Sequence, residues 1–93
     1  MKAVFHGTIL AESDNTIQLE GNTYFPSGSL NKEYIENSET KTTCPHKWVA
    51  SYYNIHVQGK THTDTGRYYS DPKTWYEHIA GHVAFYPVVS VEE

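Results

Sequence analysis

Short apolar stretches alternate with polar residues along most of the chain, and this two-residue period is typical of β-strands. The longest such stretch covers residues 49–57, where one face of the predicted strand carries Val49, Ser51, Tyr53, Ile55 and Val57. The opposite face combines aromatic and polar side chains, namely Trp48, Ala50, Tyr52, Asn54 and His56. We therefore expect the first face to be core and the second to be partly in contact with water.

Further strands are predicted where shorter alternating stretches are bounded by turn residues. They lie at about residues 2–5, 8–11, 16–19, 23–25, 60–62, 67–69 and 82–86. Gln58-Gly59 predicts a hairpin turn after the long strand. In the stretch 82–86, Val83 and Phe85 are expected to point inward, and the final residues 91–93 are expected to fray.

Two segments predict short helices instead. The first is 29–36, for which Ser29 is a candidate N-cap. The second is 71–79, which starts with Asp71 as a candidate N-cap and Pro72 at the first helical position.

The polar stretch 37–43 is expected to be a loop that leads into an edge strand. No linker or repeat divides the chain, so we expect a single domain over residues 1–93. The pattern predicts a mainly β fold of small antiparallel sheets with two short helices.

Composition excludes several classes of protein. The 93 residues include a single cysteine, which cannot form an intramolecular disulfide or supply a multi-cysteine zinc site. The net charge of −4 argues against a nucleic-acid partner, and no apolar run is long enough to span a membrane. We therefore expect a cytoplasmic protein without a cofactor.

Side chains that could take part in catalysis are most closely spaced in the segment 43–48. Lys47 or His46 would favour the thiolate of Cys44, which is the reactive form of cysteine. A catalytic hypothesis makes Cys44 the nucleophile and His46 or Lys47 its activator, and it predicts a thiol pKa below the ordinary value of about 8.5. The alternative is a buried Cys44 that acts as a small hydrophobic residue.

Six histidines prompt a search for metal ligands. His78 and His82 are four residues apart, but Gly81 interrupts a helix between them and the pattern is not H-E-x-x-H. Cys44 with His46, and His56 with His62, are further pairs that only the fold can bring together. No zinc-site spacing is present, so the sequence predicts no metal site.

The only arginine and the tyrosine pairs predict a binding surface. Arg67 can bind a carboxylate or phosphate in a bidentate manner, or can form a surface ion pair of little energetic weight. Tyr52-Tyr53 and Tyr68-Tyr69 should each place their two rings on opposite faces of a strand. If the two strands are neighbours, one ring of each pair lines a shared surface; the alternative is ordinary packing on a sheet face.

The segment 43–53, with Thr43-Cys44-Pro45-His46-Lys47 followed by Ala50-Ser51-Tyr52-Tyr53, resembles the central motif of a bacterial and fungal family known as domain of unknown function 427. Residues 7–13, 21–26, 68–72 and 79–86 resemble other parts of the same family in the same order. The chain departs from the family pattern at Trp48, where a glycine is usual, and at Arg67, where a tryptophan is frequent.

The resemblance implies a β-tent-like architecture of small, strongly bent antiparallel sheets, shared with methionine-R-sulfoxide reductases. It implies no reaction. The paired Cys-x-x-Cys motifs of those reductases are missing, so their zinc chemistry is not expected here.

Three functional hypotheses follow. The first is a non-catalytic module that binds an unknown small molecule or protein in a polar-aromatic pocket lined by Trp48, Tyr52, His56, Arg67, Tyr68 and Tyr69. The second is the thiol-dependent enzyme built on Cys44, His46 and Lys47. The third is a structural subunit that self-associates as a homo-oligomer through a sheet edge.

Overall fold

The described residues form two antiparallel sheets. The structure is a computed structural model that describes residues 1–45 and 47–93. Within them, nine strands occur in chain order: β1 (Lys2–Phe5), β2 (Thr8–Glu12), β3 (Ile17–Leu19), β4 (Asn22–Pro26), β5 (Ile35–Cys44), β6 (Trp48–Val57), β7 (Lys60–Tyr68), β8 (His82–Phe85) and β9 (Ser90–Glu92). The small sheet has the order β2-β1-β9, and the large sheet has the order β3-β4-β8-β7-β6-β5. The expected mainly β class is confirmed.

The two predicted helices are present only as 3-10 turns. The described segments of this kind are Ser27–Ser29, Lys32–Tyr34 and Thr74–Ile79. The predicted 29–36 helix is interrupted because Leu30 bridges to Ala11 of β2 and the Asn31 N–H donates to the Leu10 carbonyl at 2.7 Å. These contacts with β2 hold the backbone extended, and the Ser29 hydroxyl donates to the Pro26 carbonyl at 2.6 Å rather than capping a helix.

The second helix begins later than predicted and lacks the Asp71 cap. Lys73 precedes its first residue, and no side chain caps it. The Lys73 N–H donates to the Lys47 carbonyl at 3.3 Å, and its Nζ donates to the Pro45 carbonyl at 2.8 Å. These bonds tie the start of the helix to the connection between β5 and β6.

Two strand predictions also need correction. The stretch 37–43, predicted as a loop, belongs to β5, which is the edge strand that was expected to follow it. The end of the chain does not fray as expected, because Ser90–Glu92 pairs with β1. The Gln58-Gly59 hairpin is confirmed, with both residues at positive φ, as a two-residue turn of this kind requires.

The large sheet buries both of its faces. One cluster lies between the two sheets and joins Ala3, Phe5, Leu10 and Ala11 of the small sheet to Phe25, Ile55, Val57, Val83 and Phe85 of the large sheet. The second cluster lies on the opposite face and contains Tyr24, Ala50, Tyr52, Tyr69, Ile79 and Ala84. Strand alternation separates the two sets, since Phe25 and Tyr24 are consecutive, as are Val83 and Ala84.

Strand β6 exchanges its buried face along its length. At its C-terminal end, Ile55 and Val57 face the small sheet, as predicted. At its N-terminal end, Ala50 and Tyr52 of the opposite face are buried, whereas Val49 is only partly buried. The face that was expected to be partly in contact with water is therefore a second core over half of the strand.

This exchange predicts unequal costs for two truncations on the same predicted face. Ile55→Ala should lower the free energy of unfolding by about 2–5 kcal/mol, because Ile55 is fully buried. Val49→Ala should cost within about 1 kcal/mol. Urea unfolding of both variants checks this, and equal losses would contradict the exchange.

Candidate functional site

A row of side chains crosses five strands on the outer face of the large sheet, which points away from the small sheet. Tyr24 on β4 pairs with Ile17 on β3 and with Ala84 on β8. Arg67 on β7 pairs with Ala84 and with Tyr52 on β6. Residues directly opposite each other in antiparallel strands project from the same side of a sheet. Because Ala84 has only a methyl group, the row leaves room beside it for the larger Tyr24 and Arg67.

We call this region the tyrosine face and define it by Tyr24, Tyr52, Arg67, Tyr69 and Tyr86. Tyr69 and Tyr86 each follow a member of the row by two residues, so strand alternation brings them to the same side. Tyr24, Tyr52 and Tyr69 are buried, whereas Tyr86 is exposed and Arg67 is partly exposed. The face therefore has a buried floor and a solvent-accessible rim.

Arg67 carries a positive charge that none of the described carboxylates pairs with. Its guanidinium carbon lies 5.4 Å from the centroid of the Tyr86 ring, in cation–π geometry. Its Nε–H is buried and has no hydrogen-bond partner among the described residues. Burial opposes the charged form, but interactions with Tyr69, Tyr24 and Tyr86 outweigh it and raise the pKa of Arg67.

Tyr52 and Tyr86 form the aromatic part of the face. Their rings are nearly parallel, with an interplanar angle of 11° and centroids 6.4 Å apart. The Tyr52 hydroxyl is 2.9 Å from the Thr42 hydroxyl on the edge strand β5. Because Tyr52 is only 7% exposed, its truncation to alanine would damage the core, so Tyr86 is the better position for a binding test.

Lys47 is buried beside the tyrosine face, and its charge is paired. Its ammonium forms an ion pair with Glu20 and lies 4.7 Å from the Tyr76 ring centroid, and the Tyr76 hydroxyl donates to Glu20 at 3.4 Å. Burial lowers the pKa of Lys47, but the hydrogen bond and the charge of Glu20 outweigh this and raise it overall.

Two members of the predicted catalytic trio lie near each other. Cys44 is partly buried at the end of β5 and packs against the cluster that contains Tyr52 and Tyr69. An electrostatic interaction with Cys44 is one of the smaller causes that raise the pKa of Lys47, so the two side chains lie close together. His46, the third member, lies outside the described residues. The described part of the chain contains no group of three or more metal-ligating side chains that could hold an ion.

Trp48 lies beyond the rim of the tyrosine face. It is 49% exposed, and the Lys73 ammonium is 5.4 Å from its ring centroid. Together with Asp71, Pro72 and Glu77 it lines a groove of about 370 Å³. Trp48, which was predicted to line the same pocket as Tyr52 and Arg67, therefore lines this groove instead.

His56 and Tyr68 are not brought to the tyrosine face. A bulge in β7 separates the Tyr53–Gly66 pair from the Ile55–His62 pair, and bulges bend a sheet. His56 lies beyond it, where its ring contacts Glu36 and Thr61.

Tyr68 belongs to the opposite face, where its ring stacks on Tyr53 at 4.5 Å between centroids. The predicted alternation within both tyrosine pairs is confirmed, because Tyr52 and Tyr69 lie in one core cluster and Tyr53 and Tyr68 pack against the other.

Four residues around the face were not predicted from the sequence: Glu20, Tyr24, Tyr76 and Tyr86. Tyr24 and Tyr86 had a usable signal, because each alternates with an inward-facing phenylalanine and so must point to the other side of the sheet. Glu20 and Tyr76 had none, since only the fold brings residues so distant in sequence to Lys47.

The described helices all lack the length and apolar character that crossing a membrane requires.

Partly desolvated tyrosine hydroxyls predict a loss of stability in alkali. Burial is the main cause that raises the pKa values of Tyr53, Tyr69 and Tyr86. Between the ordinary tyrosine pKa of about 10 and the raised values, the unfolded chain releases protons that the folded chain keeps. The free energy of unfolding should therefore be constant below about pH 10 and fall above it, and the raised pKa of Lys47 acts in the same direction.

Urea unfolding between about pH 8 and pH 11 measures this effect, and ultraviolet absorbance follows tyrosinate formation in parallel. Tyr69→Phe should make the decline shallower, because it removes one late-titrating group. A free energy of unfolding that stays flat or rises above pH 10 would contradict the burial of these hydroxyls.

A family model described as Domain of unknown function (DUF427) matches residues 1–93. Among curated proteins, no match was found.

Proposed function

This chain belongs to the DUF427 family, whose description assigns no activity, and we propose from the geometry that it is a non-catalytic module that binds a small ligand on the tyrosine face. The observation that supports this proposal most strongly is the row that ends in Tyr52 and Arg67. It combines aromatic surface, hydroxyl groups and one unpaired cation on a rigid sheet. Small-molecule sites are built from such apolar walls with a few convergent polar groups.

The rim of the face supports binding rather than simple packing. Tyr86 is exposed although its ring stacks in parallel on the buried Tyr52. An exposed ring on a buried aromatic floor offers a flat apolar surface to a ligand from solvent. The rigid strands β6, β7 and β8 fix the side chains, so little conformational entropy is lost on binding.

The thiol-dependent alternative has less support. The candidate activator of this enzyme, Lys47, is buried and forms an ion pair with Glu20. The Lys47 ammonium therefore interacts with a carboxylate as well as with the neighbouring thiol. A cation whose charge is partly neutralised favours a thiolate less strongly than a free one. The self-association hypothesis rests on the exposed edge strand β5, whose charged and threonine residues are typical of edges that avoid pairing.

Binding can be tested with benzyl alcohol, a neutral aromatic probe. Added to ¹⁵N-labelled protein, it should shift the backbone amide resonances of Tyr52, Arg67 and Tyr86 more than those of residues around His56. Tyr86→Ala should weaken binding several-fold, because an aromatic contact contributes about 0.5–1.5 kcal/mol. Tyr86 is exposed enough that the fold should survive its truncation.

Trp75→Ala is the matched control, since Trp75 is an aromatic residue that is 88% exposed and lies outside the tyrosine face. This variant should bind the probe as the unmodified protein does. Shifts centred on Trp75, or equal weakening in the two variants, would mean that the probe adheres to exposed rings in general.

A further inference from the structure

Arg67 is a partly buried cation that does not belong to the ion pairs found among the described residues. Ion pairs within residues 1–45 and 47–93 join Lys47 to Glu20 and His56 to Glu36. The chain carries eleven acidic residues against seven basic ones, yet none of the described carboxylates lies within ion-pair distance of its only arginine. The partial burial of Arg67 removes water from its charge, and the surrounding tyrosines offset that loss without supplying an opposite charge.

The hydrogen bonds of Arg67 are also incomplete. Its buried Nε–H finds no acceptor among the described residues. A guanidinium group has five N–H donors in a rigid planar arrangement that matches the paired oxygens of a carboxylate or phosphate. The unpaired charge of this partly exposed side chain therefore indicates a missing oxyanion, whereas the Nε–H is itself covered and would reach a ligand only after the side chain shifts.

The surroundings of Arg67 suit a planar anionic ligand. The Tyr86 ring lies under the guanidinium on the exposed rim. The Tyr52 ring is nearly parallel to the Tyr86 ring. The hydroxyls of Tyr24, Tyr69 and Tyr86 interact with Arg67 and can also donate to an oxyanion. Because the chain as a whole is negative, the anion would be attracted by this local site and not by the general surface.

We propose that Arg67 binds the carboxylate or phosphate group of a small anionic ligand whose planar part lies against Tyr86. This inference rests on the proposed binding function and names the chemical class of its ligand. The guanidinium supplies a bidentate contact to two oxygens, and the aromatic rim supplies apolar contact for the rest of the ligand.

Three probes that each carry a phenyl ring separate the contribution of the aromatic contact from that of the anionic group. Benzyl alcohol is neutral, benzoate carries a carboxylate, and phenyl phosphate carries a phosphate. Affinities come from amide shifts, and the Arg67 Nε–H resonance reports directly on the guanidinium. We expect benzoate or phenyl phosphate to bind at least about tenfold more tightly than benzyl alcohol at low salt, as a charge-assisted bidentate contact provides. The tighter of the two identifies the preferred oxyanion.

Arg67→Gln should remove this preference, so that benzoate and phenyl phosphate bind this variant no more tightly than benzyl alcohol does. Lys60→Gln is the matched control, because it removes one positive charge from the exposed opposite end of the same strand β7. It should keep the preference. Amide spectra of both variants show whether the fold is retained, and Arg67→Lys, which keeps the charge but loses the planar donors, should show a reduced preference.

The outcomes separate this inference from the function on which it rests. If none of the probes shifts the tyrosine face, the binding function fails and the anion site fails with it. If benzyl alcohol binds there as tightly as the two anions, the binding function stands and the anion site is wrong. A preference for anions that survives in Arg67→Gln would equally overturn the role of Arg67.

Discussion

The partly buried guanidinium of Arg67 is the constraint around which the tyrosine face is arranged. A cation held away from water needs an opposite charge, hydrogen-bond acceptors or aromatic rings to offset the loss of hydration. Here the described neighbours are tyrosines: the Tyr86 ring lies below it, and Tyr69 and Tyr24 contribute to its electrostatics. Tyrosine can offset the lost hydration in two of these ways, because its ring interacts with the cation and its hydroxyl is a polar group that can accept a hydrogen bond. Tyrosine therefore suits the positions of the second core that surround Arg67.

The second core exists because β6 buries opposite faces at its two ends. Ile55 packs towards the small sheet, and Tyr52 packs on the other side of the large sheet, where Ile79 of the last 3-10 helix joins it. The bulge in β7 lies between these two ends. A single sheet thus carries an apolar core on one side and a polar-aromatic face on the other.

Strand alternation made much of this architecture predictable. It placed Val83 and Phe85 inward, and it separated Tyr52 from Tyr53 and Tyr68 from Tyr69, because side chains on a strand point to alternate faces whatever the tertiary context. The same rule failed for Val49 and Tyr52, since alternation gives the face of a residue but not which face is covered at each point along the strand. The 29–36 segment also failed, because contacts of Leu30 and Asn31 with β2 overrode local helix signals.

The site was predictable only in part. Tyr52, Arg67 and Tyr69 meet as expected because β6 and β7 pair directly. His56 was misplaced because a bulge lies between it and the rest of the row. The sequence carries a turn signal at that bulge, Asp64-Thr65-Gly66, but it was interpreted as a turn between two strands, 60–62 and 67–69, and the structure has one bulged strand there. Glu20 reaches Lys47 across 27 positions of sequence, a contact that only the tertiary fold creates.

We propose that the charge of Arg67 serves an external anion rather than the stability of the fold. The most direct test is the free energy of unfolding of Arg67→Gln, measured in urea without added anions. Glutamine keeps polar groups for the neighbouring hydroxyls and removes the charge. We predict a stability within about 1 kcal/mol of the unmodified protein, because no described carboxylate loses a partner. A loss of about 3–5 kcal/mol, typical of breaking a buried ion pair, would show that Arg67 is structural and would contradict the account.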